Sequence, residues 1–200
     1  MQSRTELAGR VFLLWLVVTP AVFFLARPVL QFSLPALEIA VGALQSDYFP
    51  VLRIRQVDGE PMITMRCVLR TPLRLASGRT LPPGADFDGG ATHVAHVLLP
   101  LALFVWVTIA RLVTDAGRPR PLLLGLGAVL VLSLTTPPLL AGRVASLLAS
   151  SAADSDTVSA VPLEQMLLFM EGGGRWLVGI ALGILCAAPV APASTAVVAS

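Results

Sequence analysis

Four stretches of the chain contain no Asp, Glu, Lys or Arg and consist mostly of apolar residues: 11–26, 89–110, 121–142 and 176–200. A helix that crosses the hydrocarbon core of a bilayer needs about 20 such residues. The last three windows reach this length. The first reaches it if the flanking arginines extend their charged ends to the two interfaces. The windows predict an α-helical membrane protein with about four transmembrane helices.

The composition agrees with this class. Charged residues make up 13 % of the chain and the mean hydropathy is +0.81, whereas a soluble domain carries about 25 % charge. The net charge of +2 and the absence of a long basic run argue against a nucleic-acid partner.

Arginines in short loops indicate the orientation, because they stay on the cytoplasmic side. Arg4 and Arg10 precede the first window, and Arg111, Arg118 and Arg120 lie between the second and third. With four spans both groups fall on one side. We therefore expect both termini to be cytoplasmic and the two long connections to lie outside.

This topology divides the chain into five regions. The first window could be a cleaved signal peptide, but Phe24 stands where a small residue is needed, so we interpret it as an uncleaved anchor. The predicted regions are an N-terminal anchor helix (1–28), an extracytoplasmic segment with a β-hairpin (29–90), transmembrane helices two and three (91–142), an extracytoplasmic loop with an interfacial helix (143–175), and transmembrane helix four with a C-terminal tail (176–200).

The region 51–70, VLRIRQVDGEPMITMRCVLR, has the pattern of a β-hairpin. Asp58-Gly59 is a strong two-residue turn signal, because a type I′ turn needs positive φ at both central positions. Pairing outward from the turn sets Arg55 opposite Met62 and separates a wet face from an apolar face. The wet face holds Arg53, Arg55, Arg66 and Arg70, and the apolar face holds Leu52, Ile54, Ile63, Met65, Cys67 and Leu69.

Two roles are open for this basic face. It is either a solvated surface beside anionic lipid headgroups or a docking surface for an acidic partner. A lone hairpin is marginal in water, so its apolar face needs a support. The membrane surface is one, and the other is a helical pattern at 28–44 formed by Leu30, Leu34, Leu37, Val41 and Leu44.

The region 143–175 predicts an interfacial helix, because apolar residues recur there at i, i+3, i+4 and i+7. They are Leu163, Met166, Leu167 and Met170. Three glycines at 172–174 are expected to end it, as a bend or a hinge. In the fourth window Gly179, Gly183 and Ala187 form a ladder of small residues, which predicts close packing against a helix of this chain or another.

His93 and His96 stand near the start of the second predicted helix. Zinc needs three or four protein ligands, and the nearest carboxylates, Asp86 and Asp88, fall in a Pro/Gly-rich loop. The histidines therefore suit a membrane–water boundary better than a metal site, and no cofactor is predicted. A thiol enzyme would need Cys67 as a thiolate beside one of these bases. A transporter would place charges within its spans, and the four windows contain none.

The chain thus carries an anchor, an outer segment with a hairpin, the runs HVLLPLALFVWVTIA and RPRPLLLGLGAVLVLSLTTPPLL, and the late segment PLEQMLLFMEGGGRWLVGIALG. In this layout, over most of its length, it resembles the exosortase H-associated membrane proteins. The resemblance implies an accessory of a sorting enzyme in the bacterial inner membrane. Such enzymes use Cys, Arg and His in a longer multi-span chain, and MRCVLR matches no such motif, so the resemblance implies partnership and not catalysis.

We therefore expect a non-enzymatic integral membrane accessory of a bacterial cell-envelope protein sorting or assembly system. Its expected partners are membrane lipids and another integral membrane protein, such as an exosortase-like enzyme. The alternative is a membrane-embedded thiol/histidine enzyme that uses Cys67 with His93 or His96. A small solute transporter ranks third.

Overall fold

Long helices and a small antiparallel sheet alternate along the computed structural model, which describes residues 4–114, 121–151 and 161–187. Arg118, Arg120 and the C-terminal tail from residue 188 lie outside the described residues. The elements are α1 (Arg4–Leu44), β1 (Tyr48–Val57), β2 (Glu60–Leu69), β3 (Leu73–Arg74), β4 (Thr80–Leu81), β5 (Asp86–His93), α2 (Val94–Thr114), α3 (Pro121–Ser151), α4 (Val161–Phe169), a π-helical turn (Met170–Gly174) and α5 (Arg175–Cys186).

Three helical windows in the described residues are long and apolar enough to cross a membrane: Val94–Arg111, Leu122–Ser151 and Pro162–Cys186. The two halves of α1, Phe12–Leu25 and Arg27–Leu44, pass the same test together, so there are up to four. The coarse prediction of a helical membrane protein with a small sheet agrees with this architecture.

Helix α1 joins two regions that the sequence analysis treated separately. The predicted anchor at 1–28 continues without interruption into the predicted helical segment at 28–44, with a bend of 52° between its halves. Pro28 lies just after the bend. It lacks an N–H and its ring clashes with the carbonyl four residues earlier, which bends a helix.

The β1–β2 hairpin has the predicted register. Arg55 pairs with Met62, and the two turn residues, Asp58 and Gly59, have φ of 52° and 82°. Positive φ at both positions is the type I′ geometry. Local turn chemistry therefore fixes which side chains share a face.

A third strand, β5, was not predicted. It pairs with β2 and gives the strand order β1-β2-β5. Asp86 and Asp88, expected in a flexible loop, lie on this strand, and His93 is its last residue rather than part of helix two. The segment DFDGGATH has little intrinsic preference for a strand, so pairing with β2 decides its conformation.

The apolar face of the sheet packs on α1 and the start of α2. Leu30 and Val41 of α1 and Ile63 of β2 are all fully buried and belong to one core cluster. A carboxylate oxygen of Glu38 on α1 also accepts a hydrogen bond from the backbone N–H of Leu52, at 2.6 Å. Of the two supports considered for the hairpin, α1 is the one that the structure shows.

The last part of the chain is more helical than predicted. Helix α3 runs nine residues past position 142, to Ser151, because nothing after Gly142 breaks it. The glycines at 172–174 interrupt the helix in a bend, as predicted: α4 ends at Phe169, and Gly173, at φ 116°, is non-helical and kinks the chain before α5 begins at Arg175. The candidate span Pro162–Cys186 runs across this kink.

The sequence windows contain no charged residue, but the candidate spans of the structure do. Arg143 falls inside the candidate span Leu122–Ser151, and Glu171 and Arg175 fall inside Pro162–Cys186.

Candidate functional site

The charge of the wet face changes sign from one edge of the sheet to the other. Arg53, Arg55, Arg66 and Arg70 are all exposed, as the alternation predicted. The unpredicted strand β5 adds Asp86 and Asp88 to the same face, opposite Val68 and Arg66 of β2. The face is therefore basic along β1 and acidic along β5.

Half of the arginines already have local partners. Arg66 forms an ion pair with Asp86, and the guanidinium of Arg70 lies 3.7 Å from the ring centroid of Phe49, a cation–π contact. Arg53 and Arg55 form no ion pair with any residue in the described ranges. The uncompensated positive charge of this face is thus concentrated on β1.

Strand β1 is also an edge of the sheet. In a two-residue hairpin alternate residues point their backbone groups away from the partner strand, here Leu52, Ile54 and Gln56. Glu38 accepts from the Leu52 N–H, while the outward groups of Ile54 have no partner among the described residues. An open edge with exposed arginines can pair with another extended segment. A groove of about 520 Å³ runs along the face beside Arg53, Arg55 and Arg66.

Cys67 lies on the opposite, buried face of the sheet and is a free thiol. Burial, together with the negative charge of Asp88, raises the pKa of this thiol to about 12. His93 pairs with Met62 on the wet face, so the sheet separates it from Cys67. Thiolate chemistry is disfavoured by both observations, because the nucleophile must ionise and must touch a base.

The two histidines lie close together, although they belong to different elements, β5 and α2. Their ring centroids are 5.3 Å apart, and Nδ1 of His93 lies 2.9 Å from a carboxylate oxygen of Glu60. Within the described ranges no group of three or more His, Cys, Asp or Glu residues could hold a metal ion.

Below the sheet lies a polar cluster that the sequence analysis missed. One guanidinium nitrogen of Arg143 donates to the carbonyl of Ala91 on β5 at 2.9 Å, and the other lies 3.0 Å from a carboxylate oxygen of Glu171. Arg175 is 9 % exposed. The charges of Arg143, Glu171 and Arg175 all act on His96. The cluster therefore joins α2, α3 and α5 where the helices meet the sheet.

The small-residue ladder explains why Arg175 lies there. A Cβ at Gly179 would overlap the carbonyl oxygen of Pro100 on α2, and one at Gly183 would lie 3.0 Å from the carbonyl oxygen of Phe104. Helices α2 and α5 thus run parallel in close contact, and Ala187 is buried on the same face. Arg175 stands four residues before Gly179, so it continues this face at the level of His96. That spacing is the signal that sequence reasoning could have used.

Comparison with known proteins does not identify a family for this chain. No family model, no curated protein and no solved structure matches the chain.

Proposed function

We propose that this protein is a non-enzymatic membrane accessory of a bacterial cell-envelope sorting or assembly system, and that it binds an integral membrane partner through β1. The observation that carries the proposal is the pair Arg53 and Arg55. Both are exposed, neither is neutralised within the described residues, and both lie on an open strand edge.

The chemistry of this edge favours an extended acidic segment as the partner's contact. Backbone groups of Ile54 offer hydrogen bonds, and the two guanidinium groups offer charge-assisted bonds to carboxylates. The sheet is held by the core on α1, so the edge is already ordered before binding, which lowers the entropic cost of association. An exosortase-like enzyme is the partner that the resemblance in layout suggests.

The test is a double charge reversal, Arg53→Glu with Arg55→Glu, in the full-length chain co-expressed with the exosortase-like enzyme of the same genome. We expect co-purification at low salt to fall by about tenfold or more, since close charge pairs contribute more than about 1.4 kcal/mol. The wild-type interaction should itself weaken at high salt.

The matched control is Arg74→Glu with Arg79→Glu, which makes the same change of charge at exposed positions of β3 and the following loop. It should retain the partner. Equal recovery of the partner with both double variants would leave β1 as a solvated face without a docking role. Replacement of Cys67 by Ser separates the enzyme alternative, because it abolishes a thiol-dependent activity and leaves an accessory function intact.

A further inference from the structure

Arg175 is a buried cation without a counterion in the described part of the chain. It is 9 % exposed, its Nε is buried with no hydrogen-bond partner, and Glu171, the nearest carboxylate in sequence, is bonded to Arg143 instead. A guanidinium does not deprotonate in proteins, and a buried charge that lacks a partner is strongly unfavourable. The buried Nε–H of Arg175 is therefore a donor that an anion from outside the described residues can use.

The packing of α5 on α2 fixes where the backbone of Arg175 stands. The backbone of α5 is held against Pro100 at Gly179, one helical turn below, and the kink at Gly173, with φ 116°, lies just before Arg175. Arg175 therefore stands at the level of His96, which precedes Pro100 by four residues as Arg175 precedes Gly179. His96 is exposed, so the arrangement opens to the surface on that side.

The available groups match a phosphate-type oxyanion. Arg143 and Arg175 supply two guanidinium groups and Glu171 neutralises one of them, which leaves a positive charge. Guanidinium groups bind phosphate through paired N–H donors, and the exposed imidazole of His96 offers another polar contact. A single carboxylate would use fewer of these donors.

The position of the cluster points to the source of the anion. Trp176 and Leu177, which follow Arg175, are 43 % and 61 % exposed, as on a lipid-facing surface, whereas the polar sheet begins directly above. Trp is enriched where a membrane meets water, and lipid phosphates lie at that level. We propose that Arg175, with Arg143 and His96, forms a binding site for the phosphate group of a membrane lipid. This proposal does not depend on the docking function of β1.

The test measures thermal unfolding of the purified full-length protein in an uncharged detergent. Short-chain phosphatidylglycerol, diacylglycerol of the same chain length and inorganic phosphate are each added. At about 100 times the Kd, phosphatidylglycerol should raise the unfolding temperature by about 5 °C or more, and diacylglycerol should not. If inorganic phosphate raises it equally, the oxyanion site stands and its ligand is a soluble phosphate rather than a lipid.

Arg175→Gln should abolish the shift, and Arg175→Lys should keep part of it, because Lys retains the charge without the paired donors. Arg79→Gln, at an exposed position outside the cluster, should respond as wild type. His96→Gln, which alters an exposed residue and therefore should not affect folding, should reduce the response. No shift in the wild type, or the same shift in wild type and Arg175→Gln, would overturn the proposal.

Discussion

Replacing Gly179 by Ala measures how much of the fold depends on the close contact between α2 and α5. The new Cβ would overlap the Pro100 carbonyl oxygen and lie 3.1 Å from its carbonyl carbon. These are backbone atoms, so no side-chain rotation relieves the overlap and the two helices must move apart.

The structure sets the magnitude through two opposing terms. Overpacking of a close contact costs about 1–3 kcal/mol, and a rigid backbone neighbour favours the upper end. Replacing Gly by Ala inside a helix stabilises the helix by up to about 1 kcal/mol. The expected net loss is about 2 kcal/mol, which corresponds to a fall of about 4–8 °C in the unfolding temperature of a chain of this size.

Two further glycines make this a graded series. A Cβ at Gly183 would lie 3.0 Å from both the Phe104 carbonyl oxygen and a Val107 side-chain carbon, and one at Gly125 on α3 would meet nothing within 4 Å. Gly125→Ala should therefore be neutral or stabilising, Gly183→Ala intermediate and Gly179→Ala worst. Tryptophan fluorescence during heating in detergent measures the unfolding temperatures of the three variants. A Gly179→Ala variant as stable as Gly125→Ala would refute the reasoning.

Three other outcomes follow from the sheet and the polar cluster. With Cys186 replaced by Ser, Cys67 should resist maleimide at pH 8 in the folded chain and react after unfolding; rapid labelling of the folded form would contradict its burial. The pKa of this thiol is raised from 9.0 to about 12 in the folded chain. Its contribution to stability is therefore complete below about pH 9 and is lost as the pH rises towards 12. Denaturation at a series of alkaline pH values measures this loss. Arg143→Gln should destabilise the chain more than Glu171→Gln, by about 1 kcal/mol, because it also removes the bond to the Ala91 carbonyl; equal losses on thermal unfolding would show that this bond contributes nothing.

The β1–β2 hairpin was predictable because its determinants are local. Asp58-Gly59 sets the turn, the turn sets the register, and the register decides that Arg53 faces water while Ile63 is buried. Strand β5 was not predictable in this way. Its residues favour a loop, and only the partner strand β2, about twenty residues earlier, makes them a strand.

The polar cluster was hidden for a related reason. Its members come from α2, from α3 and from the segment between Glu171 and Arg175, three regions that are distant from one another in sequence. Arg143 and Arg175 are the ends of the predicted outer loop, since a charge is the natural boundary of an apolar window. Helix α3 continues past Arg143 to Ser151, so the end of a window is not always the end of a helix, whereas α5 does begin at Arg175.

Helix length explains how these charges and an apolar bilayer are compatible. Helix α3 has 31 residues and is about 46 Å long, whereas the hydrocarbon core of a bilayer is about 30 Å thick. If α3 crosses such a core along the bilayer normal, about 16 Å of it lies outside, and the end of α3 that contacts the sheet is the natural place, because the Ser151 carbonyl accepts a hydrogen bond from the Ala76 N–H at 2.9 Å. Arg143 stands about 12 Å from that end, within the excess. In that arrangement the ion pair with Glu171 and the neighbouring Arg175 would lie at the boundary of the apolar core, where charged groups can reach water.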